Sequence, residues 1–153
     1  MDNFTQEQMQ EKIQEFIRLS TPAFKADAKM NFDKNKELIQ NMEMEIAHDY
    51  DKNNNEDNRN FINLAKAKCL MSAGVYNKNE DMFERGINKI IKFIYKIMEC
   101  DFSNIIIRDI AEDGSAVEVK NDNAYLVFCN RSKVMKADLD ELRADLNTSG
   151  YFS

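Results

Sequence analysis

The chain is poor in the residues from which most enzyme sites are built. It contains 1 His, no Trp and only 4 Gly among 153 residues, and the glycines are isolated from one another. A hydrolytic triad needs a His beside a nucleophile, and His48 has no Ser or Cys motif nearby. A phosphate-binding loop needs clustered glycines. The sequence therefore predicts a protein that is not an enzyme, although its many carboxylates leave a paired-carboxylate site open.

Cysteine is also scarce, and its placement favours neither disulfides nor metal. The three cysteines, Cys69, Cys100 and Cys129, are an odd and sparse set, which is not the pattern of a disulfide framework. Cys100 and Cys129 have no Cys or His neighbour at zinc-ligand spacing. The sequence predicts no metal site and no cofactor.

Long apolar runs are missing as well. No stretch approaches the roughly 20 apolar residues that span a bilayer, and residues 1–4 lack the basic start of a secretory signal. We expect no membrane association and a cytoplasmic location, or a virion if the protein is a phage structural component. That second option comes from an enrichment in Asn, Lys and Ile, which accompanies AT-rich genomes such as those of some phages and mobile elements.

The residues that are present predict an α+β fold that is mainly helical. Hydrophobic residues make up 43% and charged residues 31%, as in a soluble globular protein. We expect a single domain over 1–153, in which 1–100 is helical and 101–153 holds a small β-meander plus a helix. In detail, about four N-terminal helices form two αα-hairpins, and a three-stranded antiparallel meander and a C-terminal helix follow.

The first αα-hairpin is predicted from capping signals. Thr5 with Gln8 forms a capping box for the first helix, which ends at Ser20. Thr21 and Pro22 begin a second helix that runs to about Ala47. His48 to Asn60 is a polar run, which predicts an exposed loop.

The oxygen-bearing side chains of that loop have the spacing of the ligands in a calcium-binding loop. Its carboxylates and amides occupy positions 1, 3, 5, 7 and 9 of a twelve-residue EF-hand loop. However, Asn54 and Asn60 replace the Gly at position 6 and the bidentate Glu at position 12. We therefore predict no specific calcium site. The five residues at ligand positions are Asp49, Asp51, Asn53, Asn55 and Asp57.

The second αα-hairpin pairs a third helix with a fourth. The third is predicted to start near Asp57 or Asn58 and to end at Gly74 as its C′ residue. Asn79 caps the fourth, which covers 79–99 and separates an apolar stripe from a basic one. The third helix is expected to bury Phe61, Ile62, Ala65, Cys69, Leu70 and Ala73, and the apolar stripe of the fourth is Phe83, Ile87, Ile90, Ile94 and Ile97.

The pattern changes to short strands after Cys100. Residues 105–107, 116–120 and 125–129 are predicted strands, and residues 111–115 and 121–123 are predicted turns. A small sheet needs a helix on one face. A last helix with Leu139, Leu142 and Leu146, or the N-terminal helical layer, is expected to supply it.

The basic stripe of the fourth helix is the sharpest candidate for a binding surface. Residues 56–100 are the one third of the chain with more basic than acidic residues, whereas the net charge is −6. The stripe is interpreted as a solvated face, a protein-binding face or a phosphate-binding face, and the net charge disfavours nucleic acid. Tyr95 is predicted to point away from it. The stripe consists of Arg85, Lys89, Lys92 and Lys96.

The C-terminal Tyr151 and Phe152 are a second candidate. Two adjacent aromatic side chains carry large apolar areas, so we expect them either to fold back onto the strand face or to insert into a neighbour. Together these features predict a non-enzymatic interaction protein with a protein partner or homo-oligomer. The leading hypothesis is a structural or accessory subunit of a larger assembly. The alternative is a small inhibitor or regulator that docks on a host enzyme or a nucleic-acid complex.

Overall fold

The computed structural model describes residues 5–20, 44–53, 63–111 and 113–152. Within these ranges the protein is mainly helical with one two-stranded antiparallel sheet, which confirms the α+β class. The elements are α1 (Gln6–Leu19), α2 (Met44–Asn53), α3 (Leu64–Tyr76), α4 (Glu80–Met98), β1 (Ile106–Ile110), β2 (Ala116–Lys120) and α5 (Asn121–Thr148).

Side-chain caps fix the starts of three helices. The capping box of Thr5 and Gln8 is present, with both reciprocal bonds at 3.0 Å. Asn79 accepts from the Met82 amide at the start of α4, as predicted. Asn63 caps α3, so this helix begins at Leu64 and not near residues 57–58. Capping requires a short polar side chain, and the sequence before the third helix contains several, so local sequence alone does not single out Asn63.

The predicted exposed loop at 48–60 is wrong for its first part, because residues 48–53 are helical and belong to α2. Tyr50 is buried there. The remainder of that loop, and the predicted helix from Pro22 to residue 43, lie outside the described residues. The first predicted αα-hairpin is therefore not described, and neither are Phe61 and Ile62.

Helices α3 and α4 form the second predicted αα-hairpin, but with a different role for Gly74. It lies inside α3, where an added Cβ would stand 2.3 Å from the Phe83 amide nitrogen. A Cβ on Gly86 of α4 would stand 2.5 Å from the Met71 amide nitrogen. The two backbones therefore touch at two points, and α3 continues to Tyr76 with Asn77 as its C-cap. Ala65, which was expected to be buried, is exposed.

The sheet has two strands where three were predicted. β1 pairs with β2 from Ile106 opposite Lys120 to Ile110 opposite Ala116, through the predicted turn with Gly114 at φ +85°. Residues 125–129 are helical and belong to α5. A short apolar run does not by itself distinguish a strand from a buried helix, and here the helical repeat continues through it. The buried positions of α5 show that repeat: Ala124, Phe128, Ser132, Met135, Leu139, Leu142 and Leu146.

The aromatic part of the core lies where α1, α4, α5 and the segment leading into β1 meet, and α3 adds further buried aliphatic residues. The Phe16 ring lies 4.9 Å from that of Phe128 and 5.9 Å from that of Phe93, and Phe102 lies 5.6 Å from Phe128. The predicted apolar stripe of α4 is fully buried against this cluster. The opposite side of α4 therefore carries its polar residues.

Candidate protein-binding surfaces

The cations on the polar side of α4 differ strongly in their surroundings. Arg85 is 49% exposed, and its guanidinium lies 2.9 Å from Asp51 of α2 and 2.8 Å from Asp81 one turn earlier. The bond to Asp51 links the end of α2 to α4, whereas the bond to Asp81 lies within α4. Arg85 is thus already neutralised by two carboxylates, which weakens its attraction for an external anion.

Lys89 is not on an open surface. It is 7% exposed, and its Nζ lies 5.0 Å from the centre of the Tyr50 ring. Lys89 was predicted to belong to an accessible basic stripe, and this is wrong because Tyr50 of α2 lies over its ammonium group. An ammonium above an aromatic face is a favourable cation–π contact when it is partly desolvated.

Tyr95 is the unexpected member of this face. The side chain is 55% exposed and lines a cleft of about 540 Å³ with Asn88, Ile91 and Lys92. The prediction that it points away from the basic stripe is therefore wrong. Lys136 of α5 extends over the Tyr95 ring, with its Nζ 5.1 Å from the ring centre.

The open part of the stripe is therefore smaller than predicted and includes an aromatic ring. Lys92 is exposed and Lys96 is half-buried. We call the surface formed by Lys92, Tyr95, Lys96 and Lys136 the α4 basic face. It combines an accessible ring with ammonium groups, which suits a ligand with carboxylates or phosphates next to an apolar group.

The C-terminal aromatic pair packs elsewhere. The Tyr151 hydroxyl donates to the Val75 carbonyl at 2.7 Å, and the Phe152 ring lies 5.5 Å from that of Phe83. Lys78 covers the Tyr151 ring at 5.0 Å. The tail therefore folds back, but onto the α3–α4 connection and not onto the strand face. It does not contribute to the α4 basic face.

A second cleft, of about 580 Å³, lies between α1, β1 and α5. Arg131 donates there to the Asp109 carboxylate and to the Ser20 carbonyl at the end of α1. The arginine thus satisfies a carbonyl that the helix leaves without an internal partner. This contact was not predicted from the sequence, because Arg131 and Ser20 lie 111 residues apart and no local pattern connects them.

No group of three or more His, Cys, Asp or Glu side chains able to hold a metal ion occurs in the described ranges. Asp49 and Asp51 lie on α2, where residues two apart point about 200° apart, so they cannot converge as in an EF-hand loop. Burial raises the pKa of the Cys100 thiol, which keeps it protonated and a poor nucleophile.

Comparisons of the chain with protein-family models, curated proteins and solved structures give no match. No helix within the described ranges is both long and apolar enough to cross a membrane. The surfaces above are therefore the basis for a functional proposal.

Proposed function

We propose that the protein acts by binding another protein, and that the α4 basic face contacts an acidic segment of that partner. The observation that carries this proposal is Tyr95, a large aromatic side chain 55% exposed beside Lys92 and under Lys136. Tyrosine is enriched among the residues that dominate interface energies. Lysines around it supply attraction for carboxylates at the rim.

A protein partner explains this face better than a nucleic acid does. Arg85 is paired with Asp51 and Asp81, and Lys89 is buried under Tyr50. Two of the four cations of the stripe are thus paired or buried, and the chain as a whole has a net charge of −6, which disfavours a phosphate backbone as the ligand. An acidic peptide segment with one apolar side chain next to Tyr95 needs no more cations than this face offers.

In this proposal the protein is a non-enzymatic structural or accessory subunit of a larger assembly. The alternative is a small inhibitor or regulator that docks on a host enzyme or a nucleic-acid complex. The two differ in stoichiometry, because an assembly subunit contacts several neighbours and an inhibitor occupies one target. Chemical crosslinking of the purified complex followed by mass spectrometry would separate them.

The first prediction tests the face itself. We expect the double variant Lys92→Glu/Tyr95→Ala to bind the partner about 30-fold more weakly, which is the loss typical of removing one strong interface residue. The partner is first captured on the immobilised wild-type protein and identified, and its affinity for each variant is then measured by calorimetry. Because both replaced side chains are exposed, folding should be retained.

The matched control is Lys66→Glu, which reverses an exposed charge on α3 outside this face. It should bind like the wild type, and binding of the wild type should weaken at high salt. Equal affinity of the double variant and the wild type would contradict the proposal. Capture of nucleic acid in place of a protein would also contradict it.

A further inference from the structure

The cleft between α1, β1 and α5 lies where α1 stops covering the outer edge of β1. Gln14 donates to the Arg108 carbonyl at 2.7 Å and accepts from the Arg108 amide at 2.9 Å. Gln10, one turn earlier, makes the same two bonds to Ile106. Ile106 and Arg108 therefore direct their backbone groups away from β2, and Ile110 follows the same alternation.

The next position on this side of α1 is Arg18, which cannot close the edge as the glutamines do. A guanidinium has donors but no acceptor, so it cannot accept from the Ile110 amide. That amide bonds instead to the Asp109 side chain at 2.9 Å. Arg18 is exposed, and the described residues supply no ion pair or side-chain hydrogen bond for it. The cleft of about 580 Å³ lies at this uncovered end of β1.

The described lining of the cleft has a net positive charge, although the whole chain is acidic. It includes three arginines and one carboxylate, that of Asp109. Asp109 would repel an anion, but Arg131 contacts it directly and neutralises it. Arg108 forms an ion pair with Glu118 at 3.3 Å, and this pair contributes little because both side chains are well exposed. Arg18 is thus the cation of the cleft with no countercharge, and Arg108 is only weakly held.

The rest of the cleft offers apolar contacts. Ile110 is 67% exposed at its rim, Ile17 is buried behind it, and the exposed Ala116 of β2 also lines it. Small-molecule sites are typically clefts of about 300–1,000 Å³ that combine apolar walls with a few charged or polar groups. This cleft has both the size and the combination of groups.

We propose that this cleft binds a small organic acid, with the carboxylate on Arg18 and the apolar part against Ile110. A guanidinium matches a carboxylate in shape and can hold both of its oxygens. One cation without a countercharge suits one carboxylate. The bonds of Gln10 and Gln14 prevent an extended peptide from continuing along β1, so the ligand is compact. The site is separate from the α4 basic face and does not depend on it.

The probe that tests this site is 4-phenylbutyrate, which joins a carboxylate to an apolar ring. In nitrogen-15-labelled protein we expect a dissociation constant of about 1 mM or lower, with shifts of the Arg18 and Ile110 amide signals. The amide signals of Lys92 and Tyr95, on the α4 basic face, should not shift. Uncharged 4-phenylbutyramide and acetate, which lacks the ring, should each bind at least about tenfold more weakly.

Variants assign the two contacts. Arg18→Gln should bind 4-phenylbutyrate at least about tenfold more weakly, and Ile110→Ser about threefold or more. Both side chains are exposed, so folding should be retained. The control Lys66→Gln removes an exposed charge on α3 and should bind like the wild type.

Three results would overturn the proposal. The first is the absence of 4-phenylbutyrate binding up to about 10 mM. The second is equal binding of the acid and its amide, which would mean that no cation holds the carboxylate. The third is an Arg18→Gln variant that keeps the wild-type affinity while its spectrum shows a folded protein.

Discussion

Gly74 and Gly86 illustrate how much a single residue decides in this protein. Both are buried where α3 meets α4, with backbone atoms of the other helix closer than a Cβ could tolerate. Sequence reasoning assigned Gly74 to a helix end, since glycine is common at C′. Its actual role is to let the backbone of α3 touch that of α4 at Phe83. This contact cannot be predicted from the residues next to Gly74 in the sequence.

The second prediction therefore concerns Gly74→Ala. In an unobstructed helix this change would stabilise by about 0.5–1 kcal/mol. Here we expect a loss of about 2 kcal/mol or more, because the added methyl group overlaps the backbone of Phe83. Urea unfolding measures the difference.

Gly114→Ala is the matched control, since nothing lies within 4 Å of its added Cβ and only its φ of +85° opposes the change. We expect this turn variant to lose less stability than Gly74→Ala. A Gly74→Ala variant as stable as the wild type would show that the backbones of α3 and α4 do not touch at Gly74.

At the scale of elements, α1 serves the sheet as well as the core. Its apolar side buries Ile13 and Phe16, while Gln10 and Gln14 pair with the backbone of β1. Residues four apart on a helix are separated by about 6 Å along its axis. This distance is close to the step of about 6.6 Å between residues two apart on a strand. This match allows Gln10 and Gln14 to bond to the backbone of Ile106 and Arg108, respectively.

The third prediction is that Gln14→Ala costs about 1–3 kcal/mol of unfolding free energy. The change leaves the part-buried backbone amide and carbonyl of Arg108 without their partners. Thermal unfolding measures the loss, and amide exchange at Arg108 should accelerate.

Gln6→Ala in the exposed first turn of the same helix is the control and should change stability by less than about 0.5 kcal/mol. An unchanged exchange rate at Arg108 in Gln14→Ala would show that the glutamine does not close the strand edge.

At the scale of the whole molecule, contacts between distant segments join the described ranges. The Tyr151 hydroxyl meets the Val75 carbonyl 76 residues earlier, and Arg143 of α5 binds Glu84 of α4 at 2.7 Å. The C-terminal residues thus pack over the connection between α3 and α4. The fold-back option predicted for the tail is present, with a different docking surface from the one expected.

The fourth prediction is that deletion of residues 151–153 lowers stability by about 2–4 kcal/mol. It removes two half-buried aromatic side chains that pack on Phe83 and Val75. The melting temperature of the monomer, measured by calorimetry in dilute solution, provides the test.

Tyr151→Phe is the graded control for this deletion. It keeps the ring and removes only the hydrogen bond to Val75, so a loss of about 1 kcal/mol is expected. A tail deletion that melts like the wild type would mean that the aromatic pair does not pack on the protein in solution.

The sequence by itself determined the features that depend on neighbours a few residues apart. The caps at Thr5 and Asn79, the buried stripe of α4 and the turn before β2 follow from local spacing and side-chain chemistry, and each is present. The short run at 125–129 was misjudged because its apolar residues satisfy both strand and helix patterns. Only its continuation to Leu146 as part of α5 distinguishes them.

The tertiary structure alone decided which polar residues meet across the fold. Lys89 belongs to the same periodic stripe as Lys92, yet Tyr50 of α2 covers one and leaves the other exposed. In the sequence, Gln10 and Gln14 resemble ordinary surface residues, because the strand β1 to which they bond lies about 95 residues later in the chain. Periodicity encodes the side of a helix on which a residue lies, but the burial of that side depends on segments far away in the chain, which periodicity does not record.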